Sequence, residues 1–152
     1  MVAAAEWPVS QIMRREFASL REDDRLDLAE RLMQLGRVRH LPVLDDRGRV
    51  VGVVSNRDLL EASLTSVLEF DPGARRTFLH SVAVSEVMTR DVETVAPETP
   101  LAVAASQMIR NKIGCLPVVR PDRTMIGLVT ETDLLVAAYL PGETPRARAD
   151  AG

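Results

Sequence analysis

The chain has 152 residues, a net charge of −3 and a single cysteine, Cys115. That length makes one ordinary domain or two small ones. A charge without a basic stripe argues against nucleic acid as a partner, no apolar run approaches the roughly 18 residues of a membrane span, and one cysteine makes no internal disulfide, so a reducing cytoplasm is the expected location. The start, Met1-Val2-Ala3-Ala4-Ala5-Glu6, lacks the positive end and apolar core of a secretory signal.

Residues 9–62 align without a gap on residues 84–137. Val9-Ser10-Gln11-Ile12-Met13 returns as Val84-Ser85-Glu86-Val87-Met88, and His40-Leu41-Pro42-Val43 returns as Cys115-Leu116-Pro117-Val118. The duplication predicts two copies of one supersecondary unit, 9–62 and 84–138, joined by a helical connector over 63–83. A copy of that size buries too little surface to stand comfortably alone, so the copies are expected to pack together. Aromatic residues are scarce (Trp7, Phe17, Phe70, Phe78 and Tyr139), so the core must be aliphatic and any planar ligand must lie between aliphatic walls.

In chain order, residues 1–8 either dock through Trp7 or fray. Each copy then reads strand, helix, strand, strand, helix. The first helix is expected to start near Asp24 in copy one and near Thr99-Pro100 in copy two, with Asp and Thr as caps and Pro at the first helical position. Leu26, Ala29, Leu32 and Met33 lie at helical spacing, as do Leu101, Ala104 and Met108. Gly36 and Asn111 hold equivalent positions and predict a left-handed stop. Strands follow over 38–44 and 49–54 around the turn Asp45-Asp46-Arg47-Gly48, and over 113–119 and 124–129 around Arg120-Pro121-Asp122-Arg123. Pro42 and Pro117 recur inside the first of these strands, where a missing donor implies an edge or a kink. Second helices begin at Ser55 and Thr130. The connector is apolar enough to pack on something, with a helix from Asp71-Pro72 towards His80, and the polar tail over 141–152 is expected to be disordered.

No phosphate-binding Gly-rich loop, dinucleotide fingerprint or nucleophile elbow is present. His40 and His80 have no ligand-spaced partners, which argues against a metal. Cys115 lies in an apolar strand and has His40 as its counterpart, so no thiol is shared. No catalytic residue is assigned.

The motif shared by both copies is Gly-φ-Val-[Ser/Thr]-x-x-Asp, with φ apolar, at the strand-to-helix turn. It holds Ser55 and Asp58 in copy one and Thr130 and Asp133 in copy two. Two readings stand side by side. The hydroxyl and the acid three residues on can cap the helix. They can also hydrogen-bond a vicinal diol, while the helix start favours a phosphate. Met13 and Met88 read as core.

The repeat resembles the CBS domain, and the tandem pair resembles a Bateman module, over nearly all of residues 9–138. The resemblance rests on the Leu-Pro-Val strand, the glycine-led strand and the terminal [Ser/Thr]-x-x-Asp. It implies an α/β (α+β) fold of two β-α-β-β-α repeats packed sheet to sheet with pseudo-twofold symmetry. It also implies two clefts between the repeats that take adenosine compounds such as AMP, ADP, ATP or S-adenosylmethionine, as ligands rather than cofactors. By that likeness Asp58 and Asp133 hold ribose hydroxyls with Ser55 and Thr130, and Leu41-Pro42 and Leu116-Pro117 line the base, with His40 and Cys115 beside them. Thr94 fits the family's early Thr-Val strand, whereas Ser19 stands in its place in copy one, which argues against equal use of the two clefts. Arg57, within the Ser55–Asp58 turn, is the first candidate for phosphate, with Arg39 and Lys112 behind it. The implied protein is a cytoplasmic regulatory sensor, a homodimer that passes its signal to an effector protein. The alternative is a ligand-free interaction scaffold of the same fold.

Overall fold

The computed structural model describes residues 3–64 and 72–143. The connector stretch 65–71 and most of the expected disordered tail lie outside the described residues. The chain forms two compact units, Ala18–Val92 and Met1–Phe17 with Glu93–Gly152. The leading segment of each sequence repeat therefore belongs to the unit built on the other repeat.

The Ala18–Val92 unit runs β1 (Leu20–Arg21), α1 (Leu26–Gly36), β2 (His40–Leu44), β3 (Val50–Ser55), α2 (Asn56–Leu64) and α3 (Pro72–Ser81). Its sheet has the order β1-β2-β3. β2 runs antiparallel to β3 with His40 opposite Ser55, and parallel to β1 with Leu20 opposite Val43. Burial alternates along β3, so one face of the strand points inward. The other unit runs α4 (Leu101–Asn111), β4 (Cys115–Val119), β5 (Met125–Thr130) and α5 (Glu131–Tyr139), with Cys115 opposite Thr130.

The expected leading strand is cut short in both copies, and to a single bridge in the second. Val95 donates to the Pro117 carbonyl (3.0 Å) and accepts from Val119 (2.9 Å). The next rung would need an N–H on Pro117, which proline lacks. The proline thus lies inside the strand, in copy one inside the central strand, and its missing donor ends the neighbouring ladder rather than marking an edge. A register shift follows at once, between Val43 and Leu44 and between Val118 and Val119, which fits the expected kink.

The first helices bury Leu26, Ala29 and Met33, and Leu101, Ala104 and Met108. Their expected starts need correction. Arg25 and Pro100 hold the cap positions, and neither helix has a side-chain cap. Asp24 is spent elsewhere: its Oδ2 accepts from the Arg21 N–H at 2.7 Å and its carbonyl from Val84 at 2.7 Å. Pro100 is one residue too early to be the first helical residue. At the other end Gly36 and Asn111 are the last helical residues, but the left-handed conformation falls one step later, on Arg37 (φ 52°) and Lys112 (φ 54°). The backbone fixes that position: Val38 and Ile113 reach back to the Met33 and Met108 carbonyls (3.1 and 3.0 Å), closing a Schellman turn that needs a left-handed residue just before them.

The connector helix α3 packs on the core of its own unit. Leu79 is buried, Phe78 and Val82 lie partly buried beside it, and Arg75 forks onto Glu30 at 3.1 and 2.5 Å. Trp7 likewise docks against the core of its own unit, and its carbonyl accepts from Leu101 at 2.9 Å. Among the described residues no helix is long and apolar enough to cross a membrane.

Candidate functional site

Both strand-to-helix turns close in the same way. The Ser55 N–H donates to Asp58 Oδ2 (2.8 Å), and the Asp58 N–H donates back to Ser55 Oγ (3.1 Å). The Thr130 N–H donates to Asp133 Oδ2 (2.9 Å), and the Asp133 N–H to Thr130 Oγ1 (3.2 Å). These are reciprocal capping boxes with aspartate in the place usually taken by glutamate. The helix-capping reading of the motif is therefore present in full. In the Ser55–Asp58 box, one carboxylate oxygen and one hydroxyl proton remain beyond the capping bonds.

Pairing across the hairpin brings further expected residues to the mouth of α2. His40 faces Ser55 in register, and the Arg39 carbonyl accepts from the Asn56 N–H at 2.8 Å. Partial burial lowers the His40 pKa below its ordinary value; the Asp58 carboxylate opposes that shift and Arg39 adds to it. The imidazole is thus neutral at pH 7. Arg57 is exposed and leans on Glu61 at 3.8 Å. Ser19 is exposed and precedes the β1 rung opposite Val43.

The four residues expected around the base lie buried in β2 and β4. Leu41 and Leu116 are fully buried in the cores of their units, so their side chains are packed rather than presented. Pro42 and Pro117 are buried as well.

Beside Asp58 lies a cavity of about 410 Å³, lined by Asp58, Glu61, Ala62, Phe78, Val82 and Val87. That volume falls within the range of about 300–1,000 Å³ usual for small-molecule sites. It offers two carboxylates on one side and apolar walls, including an aromatic ring, on the other. Arg57, adjacent to Asp58 in sequence, pairs with the lining Glu61 at 3.8 Å. Sequence reasoning did not single out Glu61, Phe78, Val82 or Val87 as lining. The apolar connector was the available signal, but its contact with α2 is tertiary.

In the second copy the Asp133 carboxylate is already engaged. Arg14 Nε lies 3.1 and 3.2 Å from its two oxygens, and Nη2 lies 3.0 Å from Oδ1. From the sequence, Arg14 stands out only as part of an atypical stretch, Arg14-Arg15-Glu16-Phe17; the sharper signal is its alignment with Thr89, a change of type in an otherwise matched segment. Cys115 is half-buried, and its thiol is pushed up to about 11, first by burial and then by the Glu131 carboxylate. Thr94 is half-buried just ahead of the Val95 bridge, and its carbonyl accepts from Gln107 at 3.2 Å. Lys112 is the left-handed residue closing α4. Among the described residues no cluster of three or more His, Cys, Asp or Glu could hold a metal.

A family model for the CBS domain matches residues 9–65 and 84–139. A CBS domain-containing protein of Dictyostelium discoideum is 31% identical over 127 residues, covering 84% of this chain and 88% of that protein. Homoserine O-acetyltransferase of Methanococcoides burtonii is 31% identical over 126 residues, covering 83% of this chain and 23% of that enzyme, so the chain spans less than a quarter of its length. Among solved structures, AcuB of Vibrio cholerae matches with a TM-score of 0.75 and 34% identity, covering 90% of this chain and 93% of that one. CBSX2, solved in complex with AMP, matches with a TM-score of 0.74 and 29% identity, covering 90% and 99%. With two matched copies spanning most of its length, this chain belongs to the CBS-domain family.

Proposed function

We propose that this chain is a regulatory CBS-pair protein that binds an adenosine nucleotide without transforming it. The observation that carries the reading is the Asp58 cavity. One carboxylate oxygen remains beyond the capping bond, next to a space of about 410 Å³ with a partly apolar wall. The free oxygen and the Ser55 hydroxyl proton suit a ribose diol, and the walls around Phe78 suit a base. His40, neutral and beside the motif, adds a hydrogen-bonding ring, and Arg57 at the rim suits phosphate. The likeness to CBSX2, which was solved with AMP, supports the same class of ligand. Ser19 and Arg39, in the same unit as Asp58, stay with this proposal as peripheral contacts.

A bound ligand can act only through its differential affinity for two states of the protein. The signal then passes to a second copy of the chain or to an effector protein. The proposed second copy seats on the exposed apolar residues of the helices. Leu60 and Leu135 are exposed at equivalent positions, as are Leu64 and Tyr139.

The alternative, a scaffold of the same fold without a ligand, draws on the reciprocal boxes, which account for both acids by capping alone. Thermal unfolding with AMP, ADP, ATP and S-adenosylmethionine separates the two. A ligand at 100 times its dissociation constant stabilises by about 2.7 kcal/mol. Asp58→Asn keeps an acceptor for the cap and should lose the shift. No shift from any of the four compounds leaves the scaffold.

A further inference from the structure

We propose that the second copy's motif is closed by the protein's own side chains, so that each chain takes one adenosine ligand, at Asp58. This rests on the nucleotide reading above and adds its stoichiometry and the residues that set it.

The duplication supplies the control. Arg14 and Thr89 occupy matched backbone positions. Arg14 exchanges hydrogen bonds with Leu128 (2.8 and 2.9 Å), and Thr89 exchanges them with Val53 (both 2.9 Å). The main chain is the same, and only the side chain differs. Threonine is too short to reach the acid of its own unit, and among the described residues no cation pairs with Asp58. Arginine spans the gap and forks onto Asp133, whose side chain is left only 14% exposed. A bidentate guanidinium satisfies the lone pairs that a ribose diol would need.

A second substitution acts on the space beside the acid. Trp7 and Val82 are also matched: the Trp7 carbonyl accepts from Leu101 at 2.9 Å, and the Val82 carbonyl from Leu26 at 3.1 Å. Val82 is a wall of the Asp58 cavity. Its counterpart is an indole packed against the core of its unit, together with Ala137, the counterpart of the cavity's Ala62. The indole is far bulkier than the valine it replaces at that wall. One unit therefore has an acid without a cation partner beside a cavity, and the other has a paired acid and a bulkier side chain at the matched wall position.

Calorimetric titration with AMP and with ATP tests this. Wild type should bind one ligand per chain, with binding lost in Asp58→Asn and kept in Asp133→Asn. Arg14→Thr with Trp7→Val should bind two per chain, the second lost on adding Asp133→Asn. Two ligands on wild type, loss of the single site in Asp133→Asn, or one ligand on a double variant that circular dichroism shows to be folded, would each overturn the closed-site proposal while leaving the nucleotide reading intact. Should the double variant unfold, the Asp58→Asn and Asp133→Asn pair and the single Arg14→Thr variant decide it: a count that stays at one in Arg14→Thr, with weakened affinity, would mean that Arg14 serves the ligand rather than excludes it. No binding by wild type or any variant sinks both readings.

Discussion

Met88 lies across Gly52 so closely that a Cβ built on the glycine would stand 2.5 Å from the Met88 sulfur and 3.1 Å from the Thr89 carbonyl oxygen. Met13 lies across Gly127 in the same way, with the same 2.5 and 3.1 Å distances to its sulfur and to the Arg14 carbonyl. The glycine that opens the shared motif is thus required by the leading segment that crosses it, not by a ligand. Gly52→Ala should destabilise by about 1–3 kcal/mol through overpacking. Met88→Ala should cost about 2–5 kcal/mol through the cavity it leaves. Because the two residues touch, the double variant should lose less than the sum, which urea unfolding of all four proteins would show. Strict additivity would mean that the contact is not the reason for the glycine.

The capping boxes make a separable prediction. Ser55→Ala and Thr130→Ala each remove the acceptor for one helix-start N–H and should cost about 1 kcal/mol. Asp58→Asn should cost less, since the amide oxygen still accepts from Ser55. A protein in which Ser55→Ala leaves stability untouched, measured by chemical denaturation, would show that α2 does not depend on its box.

Cys115 gives a pH dependence with a definite sign. Its folded pKa is raised from 9.0 to about 11, so the folded state holds the proton longer than the unfolded chain. The stability tied to that proton is intact below about pH 9 and is lost as pH climbs towards 11. Two pKa units correspond to about 2.7 kcal/mol, an upper figure for a half-buried group. Cys115→Ser or Cys115→Ala should flatten the alkaline limb of a stability–pH curve. Alkylation at pH 8 should be slow in the native protein and become rapid on unfolding. Brisk native-state alkylation would contradict the packing of β4.

His40 acts at the other end of the scale. Burial lowers its pKa from 6.5, so the unfolded chain binds the proton more readily than the folded one. Stability should be flat above about pH 6.5 and fall as pH drops below it. His40→Gln should remove that decline. Asp58→Asn should steepen it, because the carboxylate works against the shift. An NMR titration of the imidazole reads the same quantity directly, and a value above 6.5 would refute it.

Much of this was legible in the sequence, for local reasons. Helix stripes, the two hairpins and the starts of α2 and α5 depend on neighbours a few residues apart, and the duplication repeated each signal. What local spacing could not supply was tertiary. The exchange of leading segments between repeats depends on contacts such as Val9 N–H to the Thr99 carbonyl. The Arg14–Asp133 fork joins residues 119 positions apart. The left-handed step on Arg37 rather than Gly36 depends on how far α1 continues, a matter of one residue. Leu41 and Leu116 are expected near a ligand by the family resemblance, yet both are fully buried in strands whose inner residues are buried in succession.

That left-handed step carries its own prediction. A non-glycine residue in this conformation costs roughly 1–2 kcal/mol, and glycine gives back part of the gain through greater freedom in the unfolded chain. Arg37→Gly and Lys112→Gly should therefore each stabilise by about 0.5–1 kcal/mol. Both residues are exposed, so the substitution removes little packing. The two sites lie in separate units and share no partner, so their gains should add in the double variant, as a rise in melting temperature. A fall in stability at either site would mean that the arginine or lysine side chain contributes more than its backbone strain costs.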